Sequence, residues 1–170
     1  MLSRVADTLY WMSRFVERAE GVTRLVEVYR DSDLEVDARR GHASYWQPTL
    51  LALCAQEQFD EDELEEPASF LLFSSQWSNS VLNSINSARE NARMVRDQLS
   101  EEIWVELNTI YHFLNSSNAL AEYQNNESSF FRRIIRFFLV FQGLSDATIH
   151  HDEGWRFMTL GKYLERADLT

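Results

Sequence analysis

A short charged pattern, Glu-Arg-Ala followed by an acidic residue, occurs near both ends of this 170-residue chain. The first copy is Glu17-Arg18-Ala19-Glu20 and the second is Glu165-Arg166-Ala167-Asp168. An aromatic and an aliphatic residue precede each copy, which indicates the same setting on two helices. A glutamate beside an arginine can transfer protons or bind a charged ligand, but the same couple also forms structural ion pairs. The repeat therefore locates a candidate site without naming a reaction.

The first copy lies on a long amphipathic segment, which we predict to be a helix from Ser3 to about Leu34. Apolar residues recur in it every three or four positions, as in a helix that packs one face on a core. These residues are Val5, Leu9, Met12, Val16, Ala19 and Val26. On a helical wheel Glu17 falls on the polar side, whereas Arg18 falls beside Trp11. A guanidinium in that position requires a carboxylate partner, because an unpaired buried charge is strongly destabilising.

Three arginines, Arg89, Arg93 and Arg96, follow one side of a second helix, predicted over residues 79–99. Like charges at these spacings repel each other unless an anion or carboxylates lie opposite, so the row requires a partner. Glu90 lies within the row. Only one of the 16 lysine and arginine residues is a lysine. This preference favours forked, partly buried contacts with carboxylates or phosphates.

The composition indicates one packed helical domain with an acidic surface. Hydrophobic residues make up 45% and aromatic residues 13%, with only 5 glycines and 2 prolines. The net charge of −11 argues against a nucleic-acid partner, because phosphate binding requires a basic face. The acidic run from Gln56 to Glu66 is interpreted as a solvated loop. Since neither a membrane span nor a signal peptide pattern occurs, we expect a cytoplasmic protein without membrane contact.

The sequence patterns offer no metal or cofactor site. His150-His151-Asp152-Glu153 contains four potential ligands, but consecutive helical residues point in different directions, so we interpret this run as a helix terminus. Cys54 is the only cysteine, which excludes an internal disulfide. A glycine-rich phosphate loop is absent as well. We therefore expect neither a metal nor a cofactor.

The remaining segments complete an all-α, single-domain bundle of antiparallel helices. Pro48 is predicted in the first turn of a helix that runs to about Gln56. Ser100 is a predicted helix cap, and residues 115–129 are predicted to be a turn and loop. In this bundle the first and last helices are expected to bring the two Glu-Arg copies close together.

Three groups of residues occur in order along nearly the whole chain. They are Met1–Ala6, Leu9–Arg14 and Glu17–Glu20; then Ala88–Arg93, Arg96, Leu99–Ser100, Trp104 and Leu107–Asn108; and finally Glu153–Phe157, Leu160–Gly161 and Leu164–Asp168. Together they resemble the bacterial alpha-E proteins, a family named for its helical content and Glu-Arg motif. The resemblance marks as motif or binding candidates Arg14, Glu17, Arg18, Arg89, Glu90, Arg93, Arg96, Glu165, Arg166 and Asp168, and assigns none a catalytic role.

The resemblance implies partners rather than a reaction. Family members occur beside or fused to ATP-grasp-type ligase-like proteins and transglutaminase-like proteins, which implies a shared pathway of peptide synthesis, modification or processing. Members usually continue past this length. We therefore expect residues 1–170 to be a truncated module whose last helix is cut at its end. A homodimer is one way to cover the unfinished helical face.

Three roles for the Glu-Arg copies stay open at this point. The first is a non-catalytic helical partner or adaptor, in which the charges give complementarity to another protein. The second is a ligand-binding or catalytic module in which an anionic substrate is held by Arg18, Arg89, Arg93 and Arg166. Proton transfer by Glu17 or Glu165 would then require the glutamates to converge. The third is an interhelical salt-bridge network. We expect a partner protein rather than an enzyme.

Overall fold

The computed structural model describes residues 1–33, 42–59 and 66–169, and within these ranges the chain is helical without a β-strand. The helices are α1 (Ser3–Asp33), α2 (His42–Ala52), α3 (Pro67–Phe73), α4 (Val81–Met94), α5 (Glu101–Leu114), α6 (Ser117–Asn125), α7 (Glu127–Thr148) and α8 (Glu153–Asp168), with a short 3-10 helix at Arg96–Gln98. The predicted all-α fold is confirmed. Most of the acidic run, residues 60–65, lies outside the described ranges.

The 31-residue helix α1 is the centre of the fold. It packs against α2, α3, α4, α7 and α8. Its predicted apolar stripe is buried from Leu9 to Val26, with Met12 and Ala19 fully enclosed. Apolar burial of this kind is the main favourable term in folding, so α1 holds the neighbouring helices in place.

Ion pairs at the helix ends show in which direction neighbouring helices run. Helices α1 and α7 are antiparallel, because Arg30 near the end of α1 pairs with Glu127 at the start of α7. Helices α1 and α8 are parallel, because the amino group of Met1 pairs with Glu153 at the start of α8. Further pairs advance in the same direction along both α1 and α8. The bundle thus combines antiparallel neighbours with one parallel pair that joins its first and last helices.

Polar caps fix where several helices begin. Ser80, Ser100, Asn126 and Asp152 each accept a hydrogen bond from a backbone N–H in the first turn of the following helix. The predicted Ser100 cap is therefore confirmed. In the described ranges, His, Cys, Asp and Glu side chains form no group of three that could hold a metal. No helix of those ranges combines the length and apolar character that crossing a membrane requires.

Two local predictions are wrong. Residues 115–129 contain the helix α6, because the buried ring of Tyr123 anchors an otherwise polar segment on the core. Pro48 lies in the interior of α2 and not in its first turn. Burial of the neighbouring Trp46 helps to hold that helix despite the missing N–H of proline.

Candidate functional site

Helices α1 and α8 approach each other closely because two residues of α8 are glycines. A β-carbon built at Gly161 would lie 2.4 Å from the backbone oxygen of Tyr10. A β-carbon at Gly154 would lie 3.2 Å from the side chain of Leu9. Residues seven apart share one face of a helix, so α8 presents its backbone to α1 along this face. The short distance between the helices brings their charged side chains within hydrogen-bonding reach.

Glu165 of α8 binds two arginines of α1. Arg14 donates from Nε to Oε2 at 2.5 Å. Arg18 donates from Nε to Oε1 at 2.5 Å and from Nη2 to Oε2 at 3.1 Å. The two arginines are one helical turn apart, so both can face a single carboxylate. The side chain of Glu165 is only 3% exposed, and the predicted carboxylate partner of Arg18 is confirmed.

In the second contact between the two copies, the arginine comes from α8 and the glutamate from α1. Arg166 of α8 donates from Nε to Oε1 of Glu17 at 2.6 Å. This hydrogen bond raises the pKa of Arg166 against the opposing effect of burial. Glu17 is buried, although it falls on the polar side of the helical wheel, because neighbouring helices cover that side of α1. The glutamate of each copy therefore pairs with the arginine of the other, and the predicted proximity of the copies is confirmed.

The Glu-Arg cluster consists of Arg14, Glu17, Arg18, Glu165, Arg166 and Asp168. Arg14 contacts several residues in and around it. Besides Glu165, it donates to the hydroxyl of Tyr10 at 2.9 Å and to Asp168. Its guanidinium carbon lies 5.4 Å from the ring centre of Trp11. Burial alone disfavours the charged guanidinium, but the hydrogen bonds to Glu165 and Tyr10 outweigh this effect and raise the pKa of Arg14. Arg14 therefore stays cationic in the cluster.

Three residues that contribute to the cluster are not among the candidate site residues predicted from the sequence. Tyr10 lies one helical turn before Arg14, a spacing that signals a side-chain contact. Gly161 lies inside a helix, where glycine is unfavourable unless close packing requires it. Asn79, which accepts a hydrogen bond from Arg18 at 2.9 Å, has no such signal because it precedes α4 and lies 61 residues away.

The arginine row forms a separate surface on α4 and on the 3-10 helix that follows it. Arg89 and Arg93 both donate to Glu90, with N–O distances of 2.6 Å and 2.8 Å. These contacts, led by the one from Arg89, lower the pKa of Glu90. Arg96 lies in the 3-10 helix, 5.5 Å from the ring centre of Trp104. Among the described residues, no hydrogen bond or ion pair joins this row to the Glu-Arg cluster, and Glu90 supplies the expected carboxylate.

A further charged cluster lies near the end of α1. Arg30 pairs with Glu66 at 2.7 Å and with Glu127 at 2.5 Å, and it also donates to the hydroxyl of Tyr123. Tyr123 donates to Glu66 at 3.2 Å. Burial, reinforced by the charge of Glu66, raises the pKa of Tyr123. No sequence pattern indicates this Arg30 cluster, because its members come from four separate segments.

Comparison with known proteins agrees with this architecture. The model of a family described as "a predicted alpha-helical domain with a conserved ER motif" matches residues 1–170. The chain belongs to the Alpha-E family. Glu-Arg occurs in this Alpha-E chain as Glu17-Arg18 and Glu165-Arg166, and these residues form the reciprocal pairs that join its first and last helices.

The chain is similar to long mycobacterial proteins described as uncharacterised. In alignments that span 183 residues, it is 28% identical to a protein from Mycobacterium bovis and to one from Mycobacterium tuberculosis strain CDC 1551 / Oshkosh. Each match covers 96% of this chain but 21% of the relative, so the chain spans about a fifth of their length. No solved structure matches. The Alpha-E domain is thus shared with larger proteins.

Proposed function

We propose that this Alpha-E chain is a non-catalytic helical partner protein of the bacterial cytoplasm. It acts with an ATP-grasp-type ligase-like protein and a transglutaminase-like protein in peptide synthesis or modification. The partner classes rest on the family resemblance. The physical support is that the two Glu-Arg copies pair with each other, so they hold α8 in a fixed position on α1.

The outer face of α8 is the surface we assign to the ligase-like partner. Its exposed apolar side chains are Phe157, Leu160, Tyr163 and Leu164, which are 38–57% exposed. They recur at helical spacing and therefore form one strip. Exposed apolar strips rimmed by charged residues mark interaction sites on many proteins. The Glu-Arg cluster on the opposite face fixes the orientation in which α8 presents this strip.

The catalytic alternative has weaker support. In that alternative the arginines hold an anionic substrate and Glu17 or Glu165 transfers a proton. This alternative requires the two glutamates to act together, but both oxygens of Glu165 accept from guanidinium groups in a nearly closed site, so Glu165 is a poor general base. The arginine row contributes a different surface, so these cations do not converge on one substrate.

The proposal is tested by affinity capture of the chain from its native lysate. We expect wild type to recover a ligase-like protein, identified by mass spectrometry. Leu160→Glu should abolish this recovery, because it places a charge in the middle of the apolar strip. Leu120→Glu is the matched control, since Leu120 is the same residue type at similar exposure, 41% against 48%, on the distant helix α6.

Two outcomes count against the adaptor proposal. One is recovery of no ligase-like or transglutaminase-like protein by wild type. The other is equal recovery by both variants, which would remove the α8 strip from the interface. A homodimer that covers the same strip is distinguished by light scattering, because Leu160→Glu would then halve the measured mass while no second protein is captured.

A further inference from the structure

The two motif glutamates differ in how completely their oxygens are bonded. Both oxygens of Glu165 accept hydrogen bonds from Arg14 and Arg18. Glu17 accepts one bond, from Arg166 to Oε1, and its Oε2 accepts none from the described part of the chain. The Glu17 side chain is nonetheless only 8% exposed. Among the described residues, only Thr49 Oγ1 is both fully buried and without a hydrogen-bond partner, so Oε2 of Glu17 keeps contact with solvent and is a candidate ligand acceptor.

Glu17 lies at the boundary between two openings. On one side is a cavity of about 30 Å³ between α1, α7 and α8, which Lys162 also lines. On the other side is a groove of about 460 Å³, lined as well by Glu20, Arg24 and Arg166. Gln142 borders both openings together with Glu17. The acceptor oxygen of Glu17 therefore belongs to a residue that a small molecule can reach through the groove.

The other polar and charged groups around Glu17 have partners of their own. Arg24 pairs with Glu20 at 2.9 Å, and Gln142 donates to the other oxygen of Glu20 at 2.5 Å. Lys162 donates its ammonium to the amide oxygen of Gln142 at 3.3 Å. After these pairings, the Oε2 of Glu17 is the carboxylate oxygen of this groove that still lacks a donor in the described ranges.

We propose that the groove at Glu17 binds a primary ammonium group. A guanidinium fork is best matched by both oxygens of one carboxylate, but Arg166 already occupies Oε1 of Glu17. An ammonium group is a compact charge whose three donors can be shared among separate acceptors. Oε2 of Glu17 takes one donor, and the neighbouring amide oxygen of Gln142 can accept a second. The ligand would be a lysine side chain or the amino terminus of a peptide.

The experiment is an NMR titration of the whole chain with ethylammonium chloride. Potassium chloride at equal ionic strength and tetramethylammonium chloride, which has no N–H donor, are the reference salts. We expect saturable shifts of the Gly21 amide, which lines the groove, and of the Glu17 side-chain carboxyl carbon. The carboxyl carbon of Glu165 should stay unchanged. Titrations with Nα-acetyl-lysine amide, which has only a side-chain ammonium, and with glycinamide, which has only an α-ammonium, then distinguish a lysine side chain from a peptide amino terminus.

Two variants distinguish the effect of losing the Glu17 carboxylate from the effect of losing its ion pair with Arg166. Glu17→Gln and Arg166→Gln both remove the Glu17–Arg166 pair, but only the first removes the carboxylate. We expect Glu17→Gln to weaken ethylammonium binding at least tenfold, and Arg166→Gln to bind as tightly as wild type or more tightly. Equal losses in both variants, or wild-type shifts that any salt reproduces, overturn the proposal. If Glu17→Gln does not fold, the test rests on wild type: a saturable shift of the Glu17 carboxyl carbon with ethylammonium supports the proposal, and its absence overturns it.

Discussion

The Glu-Arg cluster and the arginine row use the same chemistry in opposite surroundings. In the cluster, Glu165 binds two arginines that lie 147 or more residues away in sequence, and its side chain is 3% exposed. In the row, Glu90 also binds two arginines, but both are within three residues and its side chain is 50% exposed. An exposed pair contributes little because water solvates both charges, whereas a buried charge depends on its partner. The setting, rather than the residue types, decides which pair holds the fold together.

Removal of the buried carboxylate should have the largest effect. Glu165→Ala leaves Arg14 and Arg18 largely buried without the carboxylate that joins them. We expect a loss of about 3–5 kcal/mol in the free energy of unfolding, measured by urea denaturation. A change as small as that of an exposed pair would show that water or another group compensates, and the contrast between the two sites would fail.

A substitution that forces α1 and α8 apart should have the next largest effect on the free energy of unfolding. Gly161→Ala places a methyl group against the backbone of Tyr10, so α8 must shift and the bonds to Glu165 must lengthen. Overpacking of this kind costs about 1–3 kcal/mol in unfolding free energy. Gly143→Ala is the matched control in α7, because its added carbon meets nothing within 4 Å. The control should be neutral or stabilising by up to about 1 kcal/mol, owing to the helix propensity of alanine.

The Arg30 cluster extends the comparison to a buried hydroxyl. The pKa of Tyr123 is raised in the folded state, chiefly by burial. Below about pH 10, tyrosine is protonated in both the folded and the unfolded chain, so its contribution is fully present there. Above about pH 10 the unfolded chain loses the proton first, and stability falls as pH rises. Tyr123→Phe should flatten this alkaline decline, which urea midpoints from pH 8 to 11 would measure; an unchanged slope would assign the decline to other groups.

The exposed row should give the smallest effect. Glu90→Ala removes the shared partner of Arg89 and Arg93, but water solvates Glu90 and Arg93. Arg89 is partly buried and keeps its contacts with Trp104, Tyr111 and Asn108. Because the pKa of Glu90 is lowered in the folded state, its contribution is present above the usual glutamate range and disappears as the pH falls through its folded pKa. We expect the urea midpoint at neutral pH to stay within error of wild type. A loss that approaches that of Glu165→Ala would remove the distinction between the two sites.

Local patterns succeeded where one helix supplied the whole signal. The spacing of apolar residues placed α1 and its buried face, and the position of Arg18 on that face predicted its need for a carboxylate. Local patterns failed for α6, where a polar segment is helical because Tyr123 anchors it on the core. They also could not find Asn79, since its contact with Arg18 joins segments far apart in sequence.

By itself, the sequence determined an all-α fold, the central amphipathic helix and the pairing requirement of its inward arginine. Each follows from side-chain periodicity and from the high free energy of an unpaired buried charge. The tertiary structure alone decided that α1 and α8 run parallel and that each glutamate meets the arginine of the other copy. It also decided that one oxygen of Glu17 has no hydrogen-bond donor among the residues that the structure describes. These outcomes depend on distances between helices, and the contact of Gly161 with the backbone of Tyr10 sets the distance that matters here.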